Sequence, residues 1–428
     1  MKLYLHRNFL LSFAASFISL FGSKLLMISY VAYVYRESGS ATLAAVVFAA
    51  DWTANLFIGL LGAQYIDRQN AKQLLVWLNV VAAGVTLVFL GFSDPDLFAY
   101  AIGIIFARAL LNSAVNNARV KALVQFFTKK ETDLFSPVFN ASLPIAMAVA
   151  AATGAFILKF VEFNVVVYID SATFLTAAAL MLLVKPNEER TRESIRTARG
   201  AAETKLRGIR NAFGIIARDE SIASAVFYII LSVTAFQATY ETLITVIPQV
   251  WYGKGESGTA LFFTFESVAV MTGVFLYQYL NRRGFITDRN ERTLNLAVVV
   301  VITALYALVP LFEGNVYLCL VAFSLMVVGG ELIWVHQFKQ MIAKAPAAKV
   351  SSVLGLQTAM GYSLMGVFAT VFSWGLDGLG IGSTIYVNIA LVALLVAGWE
   401  LPRRARRIEP ATQETAAQEP AEPAVRAA

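Results

Sequence analysis

A single cysteine, Cys319, and two histidines, His6 and His336, stand among 428 residues. One thiol closes no disulfide within the chain, and so few soft ligands build no cysteine- or histidine-rich metal centre. No Walker-type phosphate loop is present, so nucleotide hydrolysis is not a built-in energy source. Charge is scarce too. Asp, Glu, Lys and Arg make up 14% of the chain, against about 25% in soluble domains. What fills the space is apolar: 58% of residues belong to the hydrophobic set, and the mean hydropathy is +0.65. A soluble chain of this composition could not clothe its own surface, which excludes a cytosolic enzyme or nucleic-acid binder. With no nucleophile–histidine–acid set to build, the expectation is a membrane protein that is not an enzyme and carries no cofactor or metal.

A membrane-crossing helix needs roughly 20 mostly apolar residues, because its backbone groups must be satisfied within the segment. Such stretches fall at about 9–35, 42–66, 73–92, 96–117, 136–158 and 163–184, then at 221–247, 258–280, 294–312, 315–337, 350–375 and 382–400. The expected fold is therefore all-α, with twelve transmembrane helices in two six-helix bundles, 1–185 and 220–401. The first stretch is too long for a cleaved leader and contains Lys24. Basic residues cluster in the even-numbered connections and at both ends, including Arg68, Lys72, Arg119, Lys121, Arg282, Arg283 and Arg403, whereas the odd connections hold only Arg36, Lys159 and Lys254. The positive-inside rule then places both termini in the cytoplasm. It also accounts for a net charge of +6 without nucleic acid, since basic loops face an anionic leaflet. Bacterial inner (cytoplasmic) membrane is the expected location.

Between the bundles, residues 186–219 read as a cytoplasmic linker. Leu206, Ile209, Phe213 and Ile216 recur at helical spacing beside Lys205, Arg207 and Arg210, the pattern of a basic amphipathic helix lying on the inner membrane surface. It serves as a tether or a regulatory element. Residues 402–428, rich in Ala, Glu, Pro and Thr, are expected to be a disordered cytoplasmic tail.

Six spans, a linker and six more suggest a two-bundle secondary transporter. The connection after the second span, Gly62-Ala63-Gln64-Tyr65-Ile66-Asp67-Arg68-Gln69-Asn70-Ala71-Lys72, resembles the helix 2–3 signature of the major facilitator superfamily. Gly62 sits one place early and Asn70 replaces the second glycine, where Asn tolerates a left-handed backbone. The resemblance implies a gate made by Asp67, Arg68 and Lys72, in which Asp67 caps a neighbouring helix end and holds the inner side shut; an ordinary charged turn is the plainer reading. Tyr35–Ser40, Tyr168–Leu175 and the run Arg108, Asn112, Ser113 look like the branch of that superfamily containing macrolide-efflux proteins and the enterobactin exporter. The Gly-Pro pair usual in the fifth span of proton antiporters is absent; Pro144 and Gly154 stand apart.

Charges within membrane spans are costly and mark cavities or partners. In the architecture that the resemblance implies, helices 1, 4, 7 and 10 line the central cavity, and each carries one ionisable residue: Lys24, Arg108, Glu241 and Glu331. Lys24 and Arg108 are candidate anion contacts, with an ion pair between Lys24 and Asp51 as the equal alternative. Glu241, Glu331, Glu266 and Asp51 are candidates for proton coupling, Glu331 having a structural ion pair as its alternative. Tyr240, one place before Glu241, and Trp334, one turn after Glu331, are candidate wall residues of a substrate site. Asp170 reads as a helix cap, and His336 as a satisfied interfacial histidine. These residues together suggest a proton-coupled exporter, expected to be a monomer, for a small organic molecule, with a carboxylate siderophore-like anion favoured by the two cations. Its partners would be substrate, protons and membrane lipids. A macrolide or multidrug efflux pump and a carboxylate uptake permease are the alternatives, and a non-transporting sensor or lipid scramblase is the remote one.

Overall fold

The computed structural model describes residues 6–92, 97–128, 130–132, 135, 139, 142–200, 205–287, 290–345 and 350–416. In chain order the helices are α1 (Arg7–Ser38), α2 (Ala41–Phe57, continuing through a π-helical stretch, Ile58–Gly62, into Ala63–Asp67), α3 (Ala71–Val88), α4 (Phe98–Phe126), α5 (Ser142–Ile157) and α6 (Phe163–Leu182). Two linker helices follow, α7 (Glu188–Gly200) and α8 (Lys205–Arg218). The second half comprises α9 (Glu220–Leu231, a π-helical stretch Ser232–Ala238, then Thr239–Val250), α10 (Gly255–Arg282), α11 (Glu291–Leu308), α12 (Val316–Lys344), α13 (Val350–Leu379) and α14 (Ile381–Ala416). Among the described residues nine of these helices are long and apolar enough to cross a membrane. Besides the two linker helices, those not counted are α2, whose apolar piece is 17 residues long, the 16-residue α5 and α4.

Each boundary has a local cause. Gly39 ends α1 in the left-handed region, at φ 64°, where its N–H reaches the Tyr35 carbonyl; a side chain would strain that conformation. Ser40 then caps α2 by accepting from the Leu43 N–H. Asn315 caps α12 and Asp219 caps α9 in the same manner. At Asp219 the backbone N–H of Ile222 holds the carboxyl below the usual carboxylate range.

The packing is asymmetric along the helices. The end of the molecule where α1 begins is termed proximal, and the opposite end distal. One large apolar core, running from Leu25 and Trp52 through Phe163 to Phe236, Phe323 and Phe372, joins both halves through the middle and distal end. At the proximal end this core divides. Phe9, Leu75, Phe126, Phe135 and Met181 form a cluster drawn from the first half alone, while Ile222, Ile229, Met341 and Val353 form one drawn from the second. Among the described residues, the apolar core joins the halves through the middle and distal end, and the two proximal clusters are separate. Across the junction α2 lies along α13, and α5 along α10. Side chains are trimmed there: a Cβ on Gly154 of α5 would lie 3.3 Å from Ala260 of α10.

The linker departs from the sequence reading. Instead of meeting only lipid, α8 packs Ala212, Ile215 and Ile216 into the second half's proximal cluster, because Ile222, Met341 and Val353 offer an apolar seat that protein covers more closely than acyl chains. Thr191 of α7 donates to the Gln125 carbonyl of α4, so each linker helix rides on one half. The tail also differs. α14 continues past Arg403 to Ala416; residues 417–428 lie outside the described set. Leu206 and Ile209 lie in α8, and their side chains are outside it as well.

Candidate functional site

Where the second half faces the first, α9 is locally unwound into its π-helical stretch. A widened turn leaves carbonyls without their usual partners, which is untenable in a membrane unless side chains supply them. Here they do. The Ala235 carbonyl accepts from Thr239 Oγ1 at 2.8 Å and from Asn388 Nδ2 of α14 at 3.0 Å. The Phe236 carbonyl accepts from Tyr306 Oη of α11 at 2.9 Å. Ser232 donates to the Gly330 carbonyl of α12 at 3.2 Å, tying the stretch to the turn that carries Glu331. Such π-insertions recur at functional sites, and this one is directly followed by Tyr240 and Glu241.

Around it a group of ionisable side chains converges. Gln237 donates to Glu241 Oε1 at 2.9 Å. Glu241 is within electrostatic reach of Lys24 from α1 and Asp51 from α2. The Tyr240 hydroxyl lies within reach of the Glu266 carboxylate from α10. Glu266 also senses Glu241, Lys24 and Glu331, and its Oε2 has no hydrogen-bond partner among the described residues. Tyr240, Glu241 and Glu266 are buried, while Lys24, Asp51 and Glu331 retain some exposure. Lys24 forms no ion pair among the described residues. Six of the residues singled out in the sequence thus come together: one lysine facing four carboxylates, with a tyrosine among them. Tyr362 of α13 joins them, within reach of Asp51 and Glu241; nothing in the sequence distinguishes it from the other tyrosines, 16 in all.

Glu331 is seated by a close helix approach. A Cβ on Gly273 of α10 would stand 2.6 Å from the Glu331 Cβ and 3.2 Å from the Val328 carbonyl oxygen. The clash has no flexible chain end to yield, so Gly273→Ala must push α10 and α12 apart. The expected cost is about 1–3 kcal/mol, read as a lowered unfolding temperature in detergent together with impaired transport.

Arg108 does not join this group. Its Nε and Nη2 both donate to Asp170 Oδ2, at 3.1 and 2.5 Å, and the pair is buried inside the first half, with Thr86 Oγ1 3.5 Å from the same oxygen. The expectation that Arg108 grips a substrate is thereby corrected: its fork is taken by a carboxylate of its own bundle. Asp170 is corrected likewise. It lies in the interior of α6, where burial makes a counter-ion necessary, and does not cap the helix. Trp334 stacks on Phe338 with ring centroids 5.1 Å apart and is exposed. His336 is buried, with Nδ1 3.3 Å from Tyr277 Oη.

The helix 2–3 turn is built from within its own half. Lys121 Nζ donates to the carbonyls of Ile66 and Asp67, and Gln125 Oε1 accepts from the Ala71 N–H at 2.8 Å. Lys72 Nζ donates to the Leu182 and Val184 carbonyls at the end of α6. Asn70 is not left-handed. At φ −74° and ψ 116° it is the N-cap of α3, accepting from the N–H groups of Lys72 and Gln73, and that cap is why Asn serves here. The side chains of Asp67 and Arg68 are exposed.

Ion pairs sort by end. Distally, Arg36 of α1 meets Glu256 of α10 at 2.5 Å, a contact between the halves. Proximally, Arg292–Glu400, Lys344–Glu291 and Arg403–Glu220 all remain within the second half. A polar site between two bundles that, among the described residues, share an ion pair only at the distal end is the arrangement of a membrane transporter.

The sequence matches the Major Facilitator Superfamily over residues 12–370, and the chain belongs to that superfamily; it is a multi-pass membrane transporter, not an enzyme. No curated protein matches it in sequence. Among solved structures, a point mutant of the nucleoside transporter NupG is similar at a TM-score of 0.69 and 13% identity, covering 92% of this chain and 99% of that one. A bacterial homologue of the human lysosomal transporter Spinster, inward-facing and unoccupied, is similar at 0.69 and 12% identity, with 93% and 97% covered. A D-xylose–proton symporter gives 0.63 at 12% identity, with 92% and 97% covered. At these identities the likeness is one of fold.

Proposed function

We propose that this protein is a proton-coupled secondary transporter of twelve spans, which carries a small organic molecule out of the bacterial cytoplasm by alternating access as a monomer. The proximal end is then the cytoplasmic one, in keeping with its basic loops. The observation that supports this reading best is the convergence of Glu241, Glu266 and Glu331 opposite Lys24 and Asp51. Carboxylates shielded from water and close to one another exchange protons readily with whatever cation or hydrogen-bond donor enters among them. Proton and substrate can then compete for the same charges, which is the basis of antiport.

The charge balance bears on the substrate. With Arg108 held by Asp170, one lysine faces four carboxylates, a setting that favours an amine-bearing or zwitterionic solute, as in macrolide-type or multidrug efflux. A siderophore-like anion remains the second reading, because Lys24 stands without an ion pair among the described residues. Proteoliposomes carrying an internal pH-sensitive dye would be challenged with amine-bearing macrolides, carboxylate siderophores and simple organic acids. Saturable proton movement evoked by the amines is the expected result. Movement evoked by carboxylates alone, and lost in Lys24→Gln, would establish the anion instead, and no movement with any of them would refute proton coupling.

A further inference from the structure

We propose that Asp377, at the distal end of α13, is a latch that holds the distal side shut by capping the first turn of α2 from the opposite half. The first N–H groups of a helix have no partner within it, and they carry the positive end of its dipole. In α2 the Ser40 hydroxyl serves only the third of them, accepting from Leu43. The first two are taken by Asp377: Ala41 N–H donates to Oδ1 at 2.8 Å and Thr42 N–H to Oδ2 at 3.0 Å. The Ser40 hydroxyl donates to Oδ2 at 2.8 Å, so one carboxylate receives three hydrogen bonds from the other bundle.

These contacts lie 335 to 337 residues apart in sequence, and they join the two helices, α2 and α13, that run side by side across the junction. The distal side cannot open without breaking them. Asp377 is exposed, so a released carboxylate is hydrated at once and the first turn of α2 is wetted in its place. That makes the latch reversible, unlike the buried Arg108–Asp170 pair. A charge-assisted cap of this kind biases the equilibrium without fixing it. Nothing comparable joins the halves proximally among the described residues, where ion pairs remain within one half.

The test needs neither substrate nor proton gradient, so its outcome is independent of the function proposed above. With Cys319→Ser as background, spin labels are placed at Lys159→Cys and Glu313→Cys to report the distal separation, and at Gln73→Cys and Arg282→Cys for the proximal one. Distances are measured by pulsed electron resonance in lipid nanodiscs. Asp377→Ala is expected to raise the ratio of distally open to distally closed molecules by about tenfold, with a matching proximal closure. Asp377→Asn, which keeps the shape and loses the charge, is expected to shift it in the same direction by less. If either variant folds and leaves both distributions within about twofold of the parent, below the smallest effect of losing a cap, the latch is overturned; if Asp377→Ala does not fold, Asp377→Asn decides.

Discussion

Proton-driven transport is expected to fall to the level of protein-free liposomes in Glu266→Gln, while exchange of labelled for unlabelled substrate across the same membrane survives. Glu266 is buried, within reach of Tyr240 and left with its Oε2 unpartnered among the described residues. A group placed like this is poorly suited to a purely structural task, since each orphaned buried oxygen costs free energy that an apolar residue would avoid. Glutamine has nearly the same shape and can accept from Tyr240, so the site should stay assembled, but it can neither release nor take up a proton. Alternating access around a filled site would continue as exchange, with its pH dependence lost. The paired assays separate coupling from folding. Loss of both activities would mean that Glu266 holds the site together, and retention of both would move the proton to Glu241 or Glu331, where the same substitution is tested next.

The second large effect concerns Arg108. Breaking a buried ion pair by removing one partner strands a charge and costs about 3–5 kcal/mol, whereas replacing both partners by apolar residues is often neutral. Arg108→Met is therefore expected to lower the unfolding temperature sharply in detergent, and Asp170→Leu to do the same. The double variant should recover most of the loss and, because neither residue reaches the central carboxylates, should transport. If Arg108 contacted substrate, the single variant would instead keep its stability and lose transport, and the double variant would not rescue it.

Much of this is legible in the chain. The spans are plain because lipid demands some 20 apolar residues at a time, and the observed helices begin and end within a few residues of the expected ones, apart from the later start of α5, the proximal extensions of α4 and α12 and the run of α14 into the tail. Intramembrane charges point to a candidate site, and Lys24, Asp51, Glu241, Glu266 and Glu331 lie near one another in the fold. What the sequence conceals involves partners distant along the chain. Whether Arg108 faces a cavity or a carboxylate depends on Asp170, 62 residues away and on another helix. In the sequence Asp377 is an ordinary charge at a span end, because its role exists only once α2 of the other half lies beside it. Asn70 differs from expectation for a local reason: a cap and a left-handed turn draw on the same residue types.

The widened turn in α9 has a consequence for phase. Residues Ser232–Ala238 contain neither proline nor glycine, so nothing in the chain announces it, and a helical wheel drawn straight through 220–250 assigns the wrong azimuth to all that follows. One additional residue in a turn rotates the remainder of the helix by about 100° relative to what precedes it. Tyr240 and Glu241 owe their heading to that offset. Were the turn to relax to α-helical pitch, the Thr239–Val250 segment would revolve as a unit and carry the Glu241 carboxylate out of register with Lys24 and Asp51, so a change of pitch confined to seven residues would suffice to assemble or disperse the charge cluster without displacing a single helix axis.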